Sequence, residues 1–129
     1  MDNIEVLLQK FKFKSLGVVL DEPIELENIF TLLGFKTNFD PKSKSSNTLV
    51  FLHDKNEFLD FLKNNLEKIE YDSVLWFAYP KKGSGLKTDI NRDILMAVGN
   101  EYGIDTVTAI SINATWSALR FRPTEMVGK

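Results

Sequence analysis

The sequence predicts an α/β fold: a small three-layer, Rossmann-like domain whose mostly parallel sheet ends in a C-terminal antiparallel hairpin. Apolar runs of strand length alternate three times with segments whose apolar residues recur at helical spacing. This alternation is typical of parallel strands joined by helical crossovers. Two further apolar runs follow with only a few residues between them, too few for a crossover. The 129 residues are predicted to form one domain.

The first half of the chain supplies the first units of this pattern. Residues 1–13 predict an N-terminal helix, because their apolar side chains recur three to four positions apart. Residues 15–20 predict a strand, and the apolar helical stripe behind them ends at Gly34, which is well placed to cap a helix. The polar run 40–47, "DPKSKSSN", predicts a flexible surface loop, and 48–52 the next strand.

The second half continues the alternation. Residues 58–69 carry a second helical stripe, and 73–79, "SVLWFAY", form an almost unbroken apolar run, as expected of a strand buried on both faces. Asp89 is predicted to cap a third helix. Residues 105–113 and 115–122 then predict the two strands of the hairpin, which would place an antiparallel edge on the sheet.

Composition excludes several classes of function. The chain has no cysteine and a single histidine, His53, so disulfides, thiolate zinc sites, cysteine nucleophiles and multi-histidine metal sites are excluded. No metal and no cofactor are predicted. No apolar run approaches the ~20 residues of a membrane span, and the first residues carry acids where a signal peptide carries bases. We therefore expect a cytoplasmic protein without a membrane partner.

The most distinctive segment is "YPKKGSGLKTDINRD", residues 79–93, which joins a predicted strand to a predicted helix. It is not a Walker A loop, because Pro80 stands where the first glycine belongs and Leu86 where the lysine belongs. It is not a dinucleotide fingerprint either, because Thr88 replaces the third glycine. Neither formal phosphate motif is therefore present.

Two interpretations of this loop remain open. Open α/β sheets bind ligands beyond the carboxyl ends of their strands, and a glycine-containing loop before a helix can hold an anion there. The candidate binding residues in the loop are Lys81, Lys82, Ser84, Lys87, Thr88, Asp89 and Arg92. In the alternative, these lysines are simply solvated where a buried strand reaches water, beside a helix that Asp89 caps.

A second candidate segment is "TWSALRFR" in the last predicted strand. Strand alternation places Trp116 and Arg120 on one face and Ser117 on the other. Trp116, Ser117 and Arg120 complete the set of candidate binding residues, since an aromatic ring and a guanidinium in register can hold a ring, a phosphate or a carboxylate. In the alternative, this is an edge strand with one core face and one face protected by charge, and Trp116 packs in the core.

These two segments together resemble the signature of a small bacterial family of domains of unknown function. The family shows W-x-x-Y-P-K, a T-D-[LI]-x-R-D helix start and a W-S-A-L-R-F ending. The matching residues here are Trp76, Tyr79, Pro80, Lys81, Thr88, Asp89, Arg92, Trp116, Ser117 and Arg120. The first half matches only in outline. Residues 112–115, "INAT", lack the acid that the family often places before the tryptophan, so any role of that acid does not carry over.

The order of elements is also similar to the late half of class I methyltransferases. That resemblance implies the architecture, a truncated methyltransferase-like sheet. It does not imply the activity, because the first strand, "SLGVVLDEP", lacks the glycine-rich turn that holds the methionyl part of the cofactor. The chain is also too short for a complete enzyme of that class.

We therefore expect a non-catalytic binding or interaction module that uses the basic loop to hold an anionic small molecule or a protein partner. The alternative is a small enzyme of unknown reaction, with Asp21, His53 or Asp54 as acid or base and the lysines holding a charged substrate. Nucleic-acid binding is the least supported function, because the net charge is −2 and no strong basic footprint is present.

Overall fold

The computed structural model describes residues 4–129 and confirms the α/β class. Within that range one sheet contains β1 (Val18–Leu20), β2 (Ser45–Phe51), β3 (Ile69–Pro80), β4 (Ile104–Ser111) and β5 (Trp116–Pro123). The order across the sheet is β1-β2-β3-β5-β4. The β1–β2 and β2–β3 pairs are parallel, and β5 runs antiparallel to both of its neighbours. The sheet is thus mostly parallel, and the predicted C-terminal hairpin is confirmed.

The hairpin forms an antiparallel edge of the sheet, as predicted. Within the hairpin, β5 lies inside the sheet and β4 is the outermost strand. The reason is that β5 is apolar on both faces: Trp116 and Ala118 are buried on one face, and Leu119 and Phe121 on the other. A strand that buries both faces is best placed between two neighbours. The edge-strand alternative for this segment is therefore wrong.

Helices cover both faces of the sheet. They are α1 (Ile4–Phe11), α2 (Ile29–Leu32), α3 (Lys55–Asn64) and α4 (Arg92–Glu101). α3 and α4 pack with the face that carries Phe77 and Phe121. Phe11 and Phe30, from α1 and α2, pack with the opposite face around Trp76. The predicted three layers are present. The helix predicted for residues 1–13 is seen from Ile4 to Phe11, and residues 1–3 lie outside the described range.

The polar loop predicted at residues 40–47 is shorter than expected, because β2 already begins at Ser45. The cause is Asn47, whose side chain is buried. Its Oδ1 accepts a hydrogen bond from the Lys14 backbone N–H at 3.0 Å, and its Nδ2 donates to Ser15 Oγ at 3.0 Å. A buried amide with both ends bonded is satisfied, so this polar residue extends the strand. Gly34, as predicted, follows the end of α2, with φ at +106°.

Candidate functional site

The loop between β3 and α4 leaves the sheet at the carboxyl end of β3 and is anchored at its start. The Lys81 backbone N–H donates to the Thr115 carbonyl at 2.7 Å, and Lys81 Nζ donates to Ser111 Oγ at 2.6 Å. The chain then turns through Gly83 and Gly85, whose φ angles of +81° and +92° lie in the left-handed region that favours glycine. The two glycines thus let the loop fold back beside the sheet.

The other end of the loop is held at the start of α3. Thr88 Oγ1 donates to the His53 carbonyl at 2.7 Å, and Asp89 Oδ1 accepts from the Lys55 backbone N–H at 2.7 Å. Asp89 therefore does not cap the helix that follows it, and that prediction is wrong. The cap of α4 is Asn91, whose Oδ1 accepts from the Ile94 N–H at 2.9 Å. An asparagine is as good a cap as an aspartate, and it lies directly before Arg92, the first residue of α4.

A cavity of about 640 Å³ opens between this loop, the start of α4 and the start of β5. We call it the loop cavity. Its lining residues are Tyr79, Pro80, Lys81, Lys82, Gly83, Leu86, Lys87, Thr88, Ile90, Asn91, Arg92 and Ser117. Six candidates from the sequence are thus brought together here: Lys81, Lys82, Lys87, Thr88, Arg92 and Ser117. Ser84 and Asp89 belong to the loop but do not line the cavity, and neither do Trp116 and Arg120.

Trp116 lies in the core instead. Its side chain is fully buried, and its ring meets the Phe51 ring edge to face at a centroid distance of 5.3 Å. Its indole Nε1 donates to Glu25 Oε1 at 2.9 Å, and this hydrogen bond lowers the pKa of Glu25. The His53 ring lies 5.6 Å away, also edge to face. These contacts agree with the interpretation that Trp116 packs in the core.

Arg120 lies four residues along β5, toward the opposite end of the sheet. Its Nε is buried and has no hydrogen-bond partner among the described residues. Burial, together with the nearby Arg122 guanidinium, lowers the pKa of Arg120. Since an arginine remains charged in proteins even so, an unpaired cation lies on the strand.

Tyr79 is a lining residue that was not among the candidate site residues. It is the last apolar side chain before the loop, half-buried against the core of the α3 and α4 face. Burial raises the pKa of its phenol, Arg92 opposes this shift and Asp93 adds to it. A neutral phenol therefore stands in the cavity as a hydrogen-bonding group. The signal was present in the sequence, because an aromatic residue at a strand end commonly faces the ligand side of the sheet.

The acids and the histidine at the strand ends have structural roles. Asp54 caps α3, accepting from the Glu57 N–H at 2.9 Å. Glu57 in turn accepts from the His53 backbone N–H at 2.6 Å, and its Oε1 lies 3.2 Å from His53 Nδ1. Glu22 accepts from the Phe30 N–H near the start of α2 at 3.1 Å. None of these side chains lines the loop cavity.

No group of three or more His, Cys, Asp or Glu side chains in residues 4–129 is arranged to hold a metal ion. No helix in this range is long and apolar enough to cross a membrane.

The fold is similar to that of solved enzyme structures. No family model and no curated protein matches the chain, so the resemblance to the bacterial domain family stays a prediction. A LepI complex with SAM superposes with a TM-score of 0.54 at 15% identity, over 92% of this chain and 39% of that one. A LepI variant with SAH and a substrate analogue gives a TM-score of 0.54 at 16% identity, over 93% and 39%.

A third structure, described as a pericyclic reaction enzyme, gives a TM-score of 0.51 at 13% identity, over 93% of this chain and 39% of that chain. This chain therefore spans about two-fifths of the length of the structures it resembles. At such low identity the similarity shows the fold alone. The predicted architecture, a partial methyltransferase-like α/β sheet, is confirmed.

Proposed function

We propose that this chain is a binding domain whose ligand is a small organic anion seated in the loop cavity. The observation that carries this proposal is the convergence of four cationic side chains, Lys81, Lys82, Lys87 and Arg92, on one cavity. No carboxylate is among the lining residues that the structure describes. Two acids lie close in sequence to these cations. Asp89 is engaged by the Lys55 N–H, and Asp93 follows Arg92 directly in α4 without lining the cavity.

The shape and polarity of the cavity favour a small molecule. Its volume of about 640 Å³ lies within the range of about 300–1,000 Å³ that is usual for ligand pockets. Tyr79, Leu86 and Ile90 supply apolar wall, and the cations supply charge. α4 is ten residues long and its N-terminus opens onto the cavity, so its dipole adds to the attraction for an anion. The ligand should therefore combine an acidic group with an apolar portion.

Catalysis is the weaker alternative. The acid–base candidates Asp21, His53 and Asp54 do not line the loop cavity, and Asp54 is engaged as a helix cap. Tyr79 is the titratable lining residue whose pKa is shifted, and it is shifted upward, away from the range useful for a base at neutral pH. We propose that bound ligand is held there without being transformed.

SAM is not the ligand that this chemistry favours, although similar folds bind it in the LepI complex. SAM carries a sulfonium cation, which the four cations would repel. The loop after β1 also continues into Asp21, Glu22 and Pro23 without glycines for close approach of the backbone to a cofactor. We therefore expect that SAM does not bind.

Thermal unfolding and titration calorimetry with pyrophosphate, ATP, citrate and SAM test the proposal. We expect the strongest stabilisation by ATP, which joins acidic groups to an aromatic ring, weaker stabilisation by pyrophosphate and citrate, which lack such a ring, and none by SAM. The variant Lys82→Ala/Lys87→Ala should bind ATP about tenfold or more weakly, since charge-assisted hydrogen bonds contribute about 1.5–3 kcal/mol each. Lys10→Ala/Lys63→Ala, which removes two exposed lysines elsewhere, is the matched control. Equal weakening in both variants, or no binding by the wild type, would overturn the proposal.

A further inference from the structure

A second cavity, of about 340 Å³, lies at the amino end of the parallel strands, on the face covered by α1 and α2. We call it the Arg120 cavity. Its lining residues are Lys14, Ser15, Ser46, Asn47, Glu70, Tyr71, Asp72, Ser73, Val74 and Arg120. It shares no lining residue with the loop cavity. The two cavities therefore lie at opposite ends of the sheet, and β5 supplies a residue to each.

Two arginines stand side by side here, and only one of them is paired. Arg122 Nε donates to Asp72 Oδ1 at 2.8 Å, and Arg122 Nη2 donates to Asp72 Oδ2 at 3.0 Å. Such a two-point pair uses both oxygens of the carboxylate. Arg120, two residues earlier on the same face of the strand, is left with a buried Nε that no described residue accepts from. Arg120 is itself a lining residue of the cavity.

The backbone explains why Asp72 faces Arg122. The register between β2 and β3 jumps from Ser45 opposite Ile69 to Asn47 opposite Val74. Within this irregularity Asp72 adopts a left-handed conformation with φ at +55°. Asparagine and aspartate accept that conformation better than most residues. The irregularity thus places the Asp72 carboxylate against Arg122, and Arg120 has no counter-ion of its own among the described residues.

The opposite wall of the cavity is held in place by Asn47. Because its buried amide bonds the backbone of Lys14 and the hydroxyl of Ser15, residues 14 and 15 are fixed over the end of β2. Ser15 Oγ accepts from Asn47, so its own hydroxyl hydrogen remains available to donate. With Asp72 neutralised by Arg122, Lys14 and Arg120 outnumber Glu70 among the charged lining residues.

We propose that the Arg120 cavity is a second binding site, which takes a small oxyanion, a carboxylate or inorganic phosphate, on the Arg120 guanidinium, with Lys14 and the Ser15 hydroxyl beside it. Arg120 lines the cavity and forms no ion pair with a described residue, so a bound oxyanion would supply the counter-ion that it lacks. A guanidinium presents two parallel donors that match two oxygens of a carboxylate or a phosphate. This proposal does not rest on the function proposed for the loop cavity.

The three arginines of the chain allow each cavity to be followed separately. In a spectrum of ¹⁵N-labelled protein, the Nε–H signal of Arg92 reports on the loop cavity and that of Arg120 on the second cavity. The Nε–H of Arg122 is engaged by Asp72 and serves as the internal control. Sodium acetate, sodium phosphate and sodium chloride are added in three titrations matched in ionic strength.

We expect the Arg120 Nε–H signal to shift saturably with acetate, with phosphate or with both, and not with chloride, while the Arg122 signal stays in place. The acetate and phosphate arms decide which oxyanion is preferred. Lys14→Ala, which retains the backbone hydrogen bond to Asn47, should weaken this binding about tenfold without shifting the Arg92 signal.

Several results would overturn the proposal. One is an Arg120 signal that moves linearly with every salt, and another is an Arg120 signal that does not move at all. Unchanged affinity in Lys14→Ala would remove Lys14 from the site. Movement of the Arg92 signal alone would support the loop cavity and reject this one, so the two proposals can fail independently.

Discussion

The two ends of the sheet hold positive charge in different ways. At the carboxyl end the cations are mostly exposed lysines on a glycine-containing loop, around a cavity of about 640 Å³. At the amino end they are arginines on β5, one paired with Asp72 and the other unpaired, beside a cavity of about 340 Å³. Lysines on a loop remain solvated point charges, whereas arginines on a strand have fixed directions. The first arrangement favours adaptable binding and the second favours a small ligand of defined geometry.

β5 connects the two ends and separates residues that are close in sequence. Ser117 lines the loop cavity, Trp116 is buried on the opposite face, and Arg120 lies at the far end. Alternation of side chains and the length of the strand account for this separation. We therefore expect substitutions within residues 116–122 to affect stability and anion binding independently of one another.

The largest effect is expected from Trp116→Ala. Removing a fully buried tryptophan should lower the free energy of unfolding by about 3–5 kcal/mol. Trp116→Phe keeps an aromatic ring but loses part of the buried volume and the hydrogen bond to Glu25, and should cost less, about 1–3 kcal/mol. Urea unfolding measures both values. Anion binding by folded Trp116→Phe should equal that of the wild type; a loss of binding without a loss of stability would assign Trp116 to the ligand site.

A smaller effect is expected from the two arginines, which can be compared as a matched pair. Arg122→Met leaves the Asp72 carboxylate without its two donors and should lower the urea midpoint. Arg120→Met removes a guanidinium whose Nε is unsatisfied, and should leave the midpoint unchanged or raise it. An equal loss of stability in both variants would show that Arg120 has a partner and would contradict the contrast between them.

The smallest expected effect is a decrease in the free energy of unfolding at low pH. The hydrogen bonds from Arg122 to Asp72 lower the pKa of that carboxyl group, and those from Trp116 and Tyr71 do the same for Glu25 and Glu125. A lowered pKa in the folded state means that the unfolded state binds protons more readily. The resulting stabilisation is complete above the unfolded value, about 4 for a carboxyl group, and is lost as the pH falls below it.

Urea midpoints measured at neutral pH and at successively lower pH test this dependence. Asp72→Asn should be less stable than the wild type at neutral pH, and the difference between the two proteins should shrink as the pH falls below about 4. The reason is that protonation of Asp72 removes the negative charge that pairs with Arg122 in the wild type, and the substitution has already removed that charge in the variant. A difference that stays constant across this range would contradict the assignment.

Much of the fold could be predicted from the sequence, because periodic patterns record which faces are buried. The apolar runs of β2 and β3, the helical stripe of α3 and the cap at Gly34 all predicted the elements that are present. The edge-strand interpretation of β5 was wrong: the charges at Arg120 and Arg122 indicated an edge, but the strand lies between β3 and β4. Strand order depends on contacts between distant segments, and local periodicity does not contain them.

The candidate site was predicted in part for the same reason. The expectation that groups at the carboxyl ends of the strands converge holds for the loop lysines and Arg92, which line one cavity, but not for Asp21, His53 and Asp54, which do not line it. The prediction that Asp89 caps α4 was wrong. Asn91 is an equally good cap, and Asp89 instead accepts a hydrogen bond from the N–H of Lys55, 34 residues earlier at the start of α3. The pairing of Asp72 with Arg122 spans 50 residues and depends on an irregularity in β3. Neither contact has a local signal.

The insertion of β5 between β3 and β4 has a consequence for biosynthesis. β5 is the last of the five strands to leave the ribosome, yet it occupies an inner position of the sheet. A nascent chain that has not yet reached Trp116 holds β3 with an open edge and β4 with no neighbour. Open strand edges and uncovered apolar faces promote aggregation. A premature stop codon ahead of Trp116 would therefore remove the strand that connects β4 to the rest of the sheet, and would leave the edge of β3 unpaired.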